Sequence, residues 1–251
     1  MRNHKLIRIF TDSPISLEGT VNLGKDQAHY LINVMRRKVT DSILIFNGSD
    51  GEFEAEIISA NKNEAMLHVR RKVREQIASP ELTLLYAPVK NAKNEFIVQK
   101  ATEMGVNHIQ PVITNNTIKD KTNNERLKLV AIEAAEQCER LDVPEVSEIA
   151  ELDKILHKYE DHDIMLCDET GAGKAVSEIL SSVKNSGKWA ILIGPEGGFS
   201  ANEIRILHGM KNVHAVGLGP RILRAETAII TAIALWQSYL GDFGSVPDFR
   251  G

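Results

Sequence analysis

Arg221, Arg224 and Glu226 lie close together in the chain, directly after the glycine-bearing run Gly217-Leu218-Gly219-Pro220. Two cations and a carboxylate in such a cluster can stabilise a developing anion and manage one proton. A carboxylate in a first helical turn is favoured by the helix dipole and needs no function, whereas an arginine there is disfavoured, so Arg224 asks for an explanation more than Glu226 does. A second glycine loop, Gly194-Pro195-Glu196-Gly197-Gly198, follows the apolar run Trp189 to Ile193. Each loop leaves a predicted strand and precedes a predicted helix. In an open α/β sheet ligands bind beyond the carboxyl ends of strands, where backbone amides and helix N-termini converge and glycine permits close approach. The two loops therefore predict one ligand site.

The ligand is not read as a nucleoside polyphosphate. Gly171-Ala172-Gly173-Lys174-Ala175 superficially suggests a phosphate loop, but Asp168 stands where that motif needs its first glycine and Ala175 where it needs a hydroxyl. The segment reads as a flexible turn that can still border the site. The loops also lack the G-x-G-x-x-G spacing of a dinucleotide fold and its acidic residue roughly 20 positions on. What remains is a pocket of backbone and apolar side chains, suited to adenine and a thioether or sulfonium. Cys138 and Cys167 are the only cysteines, too isolated for a disulfide framework or a zinc site. No metal is expected.

These loops must be held by a sheet. From Leu82 onward apolar runs alternate with helical patterns, the signature of a parallel sheet covered on both faces. The predicted strands are Leu82–Ala87, His108–Ile113, Asp163–Cys167, Trp189–Ile193 and Val213–Val216. The predicted helices are Lys93–Met104, Asn124–Arg140, Lys174–Lys184, Ser200–Gly209 and Ala225–Leu240, the fourth opened by a Ser200/Glu203 capping box. Residues 42–69 instead alternate apolar and polar, with Phe53, Ala55 and Ile57 on a dry face and Glu52, Glu54 and Glu56 on a wet one. The run Asn47-Gly48-Ser49-Asp50-Gly51 supplies a hairpin turn. A small β-barrel or sandwich therefore precedes the α/β part, with a helix over Gln27–Arg37. The polar stretch Val73 to Ser79 places the junction, giving domains 1–72 and 73–251.

With 43% hydrophobic and 25% charged residues the chain has an ordinary globular balance, and no apolar run is long enough to span a membrane. A cytoplasmic location is expected, since Arg8 interrupts the apolar N-terminal residues. The net charge of −4 argues against indiscriminate nucleic-acid binding, yet residues 1–79 carry 12 Lys/Arg against 10 Asp/Glu. Arg36-Arg37-Lys38 and Arg70-Arg71-Lys72 with Arg74 are the basic clusters, and phosphate contact is the reading that electrostatics suggests. Charge protecting an edge strand explains the second cluster equally well.

Several runs together resemble the RsmE family, bacterial methyltransferases that make N3-methyluridine in 16S ribosomal RNA. They are Ile193 to Ser200, Leu218 to Ala228, Lys100 to Val106, Glu133 to Cys138 with Arg140, and Val34-Met35-Arg36. The resemblance covers nearly the whole chain. It implies a PUA-like barrel that helps hold RNA, then a SPOUT methyltransferase domain with a C-terminal trefoil knot, acting as a homodimer on 16S ribosomal RNA or the small subunit. Connection rules count against any knot, so that element rests on the resemblance alone. S-adenosyl-L-methionine is implied as cofactor, held at Leu166, Asp168, Ile193, Gly194, Pro195, Glu196, Gly197, Leu218, Gly219, Ile222 and Leu223. Two departures stand out. Ala225 occupies a position where relatives often have threonine, which removes a possible helix-capping hydroxyl, and Thr40-Asp41 stands where a Gly-Asp turn is frequent.

The nitrogen N3 of uridine is a poor nucleophile until its proton leaves. Arg224 is expected to stabilise the resulting anion and Glu226 to accept the proton or orient Arg224. Arg8, Arg36 and Arg37 are expected to grip RNA phosphates. Glu136, Gln137 and Arg140 are carried over as RNA contacts, although as helix surface they need no explanation. Two other classes remain in view: an NAD- or ATP-dependent α/β enzyme, disfavoured by the failed fingerprints, and a non-catalytic RNA-binding assembly factor that keeps a cofactor fold.

Overall fold

The computed structural model describes residues 6–89, 91–117, 122–183 and 187–245. Among the described residues the chain divides into two compact units, residues 6–78 with 135–143, and residues 79–134 with 144–245.

The first unit is built on a five-stranded sheet of order β1-β3-β4-β5-β2, from β1 (Arg8–Phe10), β2 (Thr20–Leu23), β3 (Ser42–Phe46), β4 (Glu52–Ala60) and β5 (Ala65–Arg74). All neighbours are antiparallel except β1 on β3. The turn between β3 and β4 uses Gly48 and Gly51 at φ +82° and +94°, the positive values expected of that run. Ile43, Ile45, Phe53, Ala55, Ile57, Leu67 and Val69 form the core with Leu31 and Ala28. One strand residue departs from the expected alternation. Glu52, placed on the wet face by sequence, is fully enclosed between Arg8 and Arg74.

The helix expected over Gln27–Arg37 is two shorter pieces: α1 (Lys25–His29) and a π-helical turn, Tyr30–Val34. The division of the chain is also not a single cut. Residues 135–143 belong with the sheet of the first unit because Arg8 on β1 donates to the carbonyls of Ala135, Glu136 and Arg140 at 2.7, 3.0 and 2.9 Å.

The second unit holds an eight-stranded, wholly parallel sheet of order β11-β13-β10-β12-β6-β7-β8, with β9 also on β7. Its strands are β6 (Glu81–Tyr86), β7 (His108–Ile113), β8 (Glu145–Val146), β9 (Ala150–Glu151), β10 (Asp163–Cys167), β11 (Lys174–Ala175), β12 (Lys188–Ile193) and β13 (Val213–Gly217). The five expected long strands form within a residue of their predicted limits. The helices are α2 (Asn91–Glu103), α3 (Asn124–Cys138), α4 (Leu152–Ile155), α5 (Val176–Ser182), α6 (Ala201–Gly209) and α7 (Ala225–Tyr239).

Because strand side chains alternate, β10 and β12 are buried on both faces. Ile164, Leu166, Ala190 and Leu192 join Leu207 of α6 in one core, while α7 packs against β12 and α2. Lys174 and Ala175, predicted as a helix start, are instead a short edge strand beside β13; Lys184, the predicted end of that helix, lies outside the described residues. Among the described residues no helix is long and apolar enough to cross a membrane, and no group of three His, Cys, Asp or Glu is placed to hold a metal ion.

Candidate functional site

Strands β13, β10 and β12 are hydrogen-bonded neighbours and run in the same direction, with Val216, Cys167 and Ile193 near their carboxyl ends. The loops that leave them must therefore emerge side by side. They enclose a cavity of about 760 Å³, inside the ~300–1,000 Å³ span of small-molecule and cofactor sites. Ile193, Val216, Leu218, Ile222, Leu223 and Pro195 give it apolar walls.

Glycine is required in two of these loops for different reasons. Gly219 has φ +107°, a conformation that side-chain-bearing residues avoid. At Gly194 a Cβ would lie 2.8 Å from the Phe199 ring, so this glycine lets the ring close over the loop. The Ser200 hydroxyl accepts from the Glu203 amide and the Glu203 carboxylate accepts from the Ser200 amide, so the predicted capping box fixes the start of α6 behind the loop.

Of the residues assigned to a cofactor by sequence, Asp168, Ile193, Gly194, Pro195, Glu196, Leu218, Gly219, Ile222 and Leu223 line the cavity. Leu166 does not, because alternation along β10 turns its side chain into the core beneath α6. Gly197 also stands off the lining and meets Asn116, whose side-chain amide donates to its carbonyl at 3.1 Å. The turn around Gly171 borders the cavity, as its position after a strand suggested.

Asp168 is the one carboxylate in the lining whose side chain is completely enclosed. It accepts from the Thr170 amide at 2.8 Å and faces His208 Nε2 at 3.2 Å, so its orientation is fixed from two sides. Cys167 also lines the cavity, and burial pushes its thiol up to about 12.

Of the two residues expected to carry the chemistry, Arg224 lines the cavity and Glu226 does not. Arg224 caps α7 with extended backbone and no side-chain capping bond, and Arg221 and Arg224 are both exposed in the cavity lining. Residue 225 is thus the first helical position, and a hydroxyl there would not be the cap. Among the described residues Arg224 has no carboxylate at ion-pair distance.

Glu226, in the first turn of α7, lies 3.2 Å from Lys93 Nζ, which also approaches Glu196 at 3.8 Å. Hydrogen bonding to its own backbone amide holds the Glu226 carboxyl below the ordinary range; burial opposes this and Lys93 reinforces it. The second carboxylate oxygen of Glu226 is enclosed without a hydrogen-bond partner. Lys93 is a site residue that sequence patterns did not reveal. It is remote from the glycine loops in the chain, and only the packing of α2 against α7 brings it there.

The residues expected to contact RNA are placed very differently from one another. Arg8 is buried, pairs with Glu52 at 2.6 Å, stacks over Phe46 and is bound to three carbonyls, so it is structural and not offered to phosphate. Glu136 accepts from the Phe10 amide at 2.9 Å, and Arg140 holds Asp142 at 3.0 Å through each of two nitrogens. Gln137 is exposed. Arg36 is exposed just past the π-helical turn and Arg37 beside it is half-buried. In the second basic cluster, Arg70, Arg71, Lys72 and Arg74 each pair with a glutamate: Glu56, Glu54, Glu75 and Glu52.

Comparison with known proteins agrees with this arrangement. A family model described as an RNA methyltransferase domain matches residues 77–237, and one described as an RNA methyltransferase PUA domain matches residues 23–69. Ribosomal RNA small subunit methyltransferase E of Rickettsia conorii is 36% identical, over 92% of this chain and 94% of that protein. The protein of the same name from Bacillus subtilis is 31% identical, over 89% and 92%. The crystal structure of the Neisseria gonorrhoeae protein of that name, bound to S-adenosyl methionine, superposes with a TM-score of 0.84 at 28% identity, covering 95% of this chain and 99% of that one. A Legionella pneumophila methyltransferase in complex with the same cofactor gives 0.84 at 29%, covering 95% and 100%. The chain belongs to the ribosomal RNA small subunit methyltransferase E family.

Proposed function

We propose that the protein methylates N3 of a specific uridine in 16S ribosomal RNA of the small ribosomal subunit, with S-adenosyl-L-methionine as methyl donor. The observation that carries this reading is the cavity at the ends of β13, β10 and β12, where apolar side chains and glycine-loop backbone stand beside Arg224. The residues fit the cofactor. Apolar walls suit adenine, and the main-chain groups of the glycine loops can be approached closely. When bound, S-adenosylmethionine supplies an electrophilic methyl group.

The chain's own part is alignment, exclusion of water and help with one proton. Arg224, exposed at the cavity with no carboxylate at ion-pair distance among the described residues, is placed to stabilise a uracil anion formed as the N3 proton leaves. Glu226 is a weak base, because its amide contact and Lys93 favour its ionised form. Of the two roles open to it, orienting Arg224 and the substrate therefore suits it better than accepting the proton. The target base must be unstacked to reach this site, and Arg36 and Arg37 in the first unit are assigned to the surrounding phosphates.

The same reading includes a PUA-like barrel and a SPOUT domain, divided near residue 73, a C-terminal trefoil knot, a homodimer and a cytoplasmic location. The insertion of the late strand β13 between β10 and β11 supports a threaded C-terminus. Small subunits from cells lacking the protein, incubated with isotopically labelled S-adenosylmethionine and the pure chain, should gain one N3-methyluridine by mass spectrometry of 16S RNA. Binding of subunits without methyl incorporation would overturn the enzymatic reading in favour of an assembly factor.

A further inference from the structure

The π-helical turn Tyr30–Val34 is the most unusual backbone in the first unit. Its inner side is anchored, since Ala28 and Leu31 are completely buried in the core below. Its outer side is apolar yet uncovered: Tyr30 is 38% exposed, Val34 55% and Met35 38%. The Met35 amide donates to the Tyr30 carbonyl at 2.9 Å, so residue 35 lies one wide turn above residue 30, and these side chains share one face. Directly after Met35, Arg36 holds φ +55°, a left-handed conformation that non-glycine residues rarely adopt. π-turns and left-handed non-glycine residues gather at functional sites, and exposed apolar surface is kept where something binds it.

Charge identifies the occupant. Arg36, Arg37 and Lys38 follow the apolar face without a break in the chain, and Arg36 and Lys38 are exposed. A two-fold contact with a second copy would set this cationic run against itself. A polyanion with apolar faces of its own meets both halves of the surface.

We propose that the face made by Tyr30, Val34 and Met35 is a stacking platform for unpaired bases of an RNA strand whose phosphates are held by Arg36 and Lys38. This deepens the assignment of an RNA substrate and rests on it. A duplex keeps its bases stacked on each other, so the platform selects single-stranded segments, and aromatic stacking makes it tolerant of sequence.

The test uses the full chain and a fluorescein-labelled RNA oligonucleotide, presented as a single strand or annealed to its complement, with anisotropy read across a salt series. Tyr30→Ala should weaken single-strand binding roughly tenfold with the salt slope unchanged. Tyr30→Phe should retain it, and duplex affinity should not respond to either change. Arg36→Ala should lower the single-strand salt slope by roughly 0.7. Urea unfolding of the full chain, read by circular dichroism, shows that each variant is folded. Single-strand affinity of Tyr30→Ala equal to wild type overturns the platform alone, as does a change in sedimentation behaviour that makes this face a contact between copies. Wild-type protein that takes up S-adenosylmethionine but binds neither form of RNA overturns the RNA substrate and the platform together.

Discussion

Arg8 and Arg224 are both arginines that sequence singles out, and the structure uses them in opposite ways. Arg8 is buried and saturated: Glu52, three carbonyls and the Phe46 ring take up its charge and its donors. Arg224 is exposed at the edge of a cavity, at a helix start where a cation is disfavoured. A charge enclosed with its counter-charge organises the fold, whereas a charge exposed beside a cavity is available to a ligand. Residue type cannot separate the two. Burial and partners can.

The sharpest way to break the comparison is to open the buried network. Glu52→Ala leaves Arg8 and part of Arg74 enclosed without their carboxylate, and removal of one partner from a buried pair costs about 3–5 kcal/mol. Urea unfolding should show a loss of that size, and a loss under 1 kcal/mol would mean the network is ornamental. Acidification probes the same group. Burial alone would raise the Glu52 carboxyl, but Arg8 and Arg74 together hold it below its ordinary value. Its stabilising contribution is therefore complete above the ordinary glutamate range and is lost as pH falls through the lowered folded value. Glu52→Gln should remove that component of the acid dependence.

Arg224→Ala should act on catalysis and not on the fold. Removal of one group that stabilises a developing anion lowers turnover by about 10²–10³-fold, equivalent to ~2.7–4 kcal/mol. S-adenosylmethionine affinity, measured by calorimetry, should stay close to wild type. Turnover within a few-fold of wild type would return Arg224 to the class of Arg8, an arginine serving local structure.

Much of this was legible in the sequence, for identifiable reasons. The long strands of the second unit read correctly because apolar runs of β10 and β12 face helices on both sides and tolerate no polar break. The glycine loops read correctly because backbone conformation at Gly219 and close packing at Gly194 admit few other residues. What stayed hidden depends on partners far away in the chain. Glu52 looks like any outward glutamate until two arginines close over it. Lys93 looks like helix surface until α7 places Glu226 beside it. The short strand β1 and the π-helical turn escape a periodicity argument altogether: β1 spans too few residues, and the turn follows neither the 3.6 nor the 2.0 repeat.

Lys93 also sharpens the comparison, because it is intermediate between the two arginines, half-exposed yet paired. Lys93→Met should lower kcat about tenfold, since the ion pair is partly solvated and of modest strength. It should also move the acid limb of the kcat/KM profile. Lys93 helps hold the Glu226 carboxyl below its ordinary range, so activity that needs ionised Glu226 disappears as pH falls through that lowered value. Without the lysine the limb moves to higher pH, and Lys93→Arg should restore it. An unmoved limb would leave Lys93 a structural tether only.

The smallest effect concerns a place where the first unit carries strain unrelated to any ligand. Thr40 has φ +79°, in the left-handed region. A β-branched residue in that left-handed region pays a steric penalty of about 1–2 kcal/mol that glycine escapes. Its amide still donates to the Ile57 carbonyl at 2.8 Å, a backbone bond that glycine would keep. Glycine gives back part of the gain through the greater freedom of its unfolded chain. Thr40→Gly should therefore raise stability by about 0.5–1 kcal/mol in urea unfolding and leave methyl transfer unchanged. If RNA affinity fell with it, the strain at Thr40 would belong with that at Arg36, as part of the apparatus that shapes the π-helical segment for its ligand.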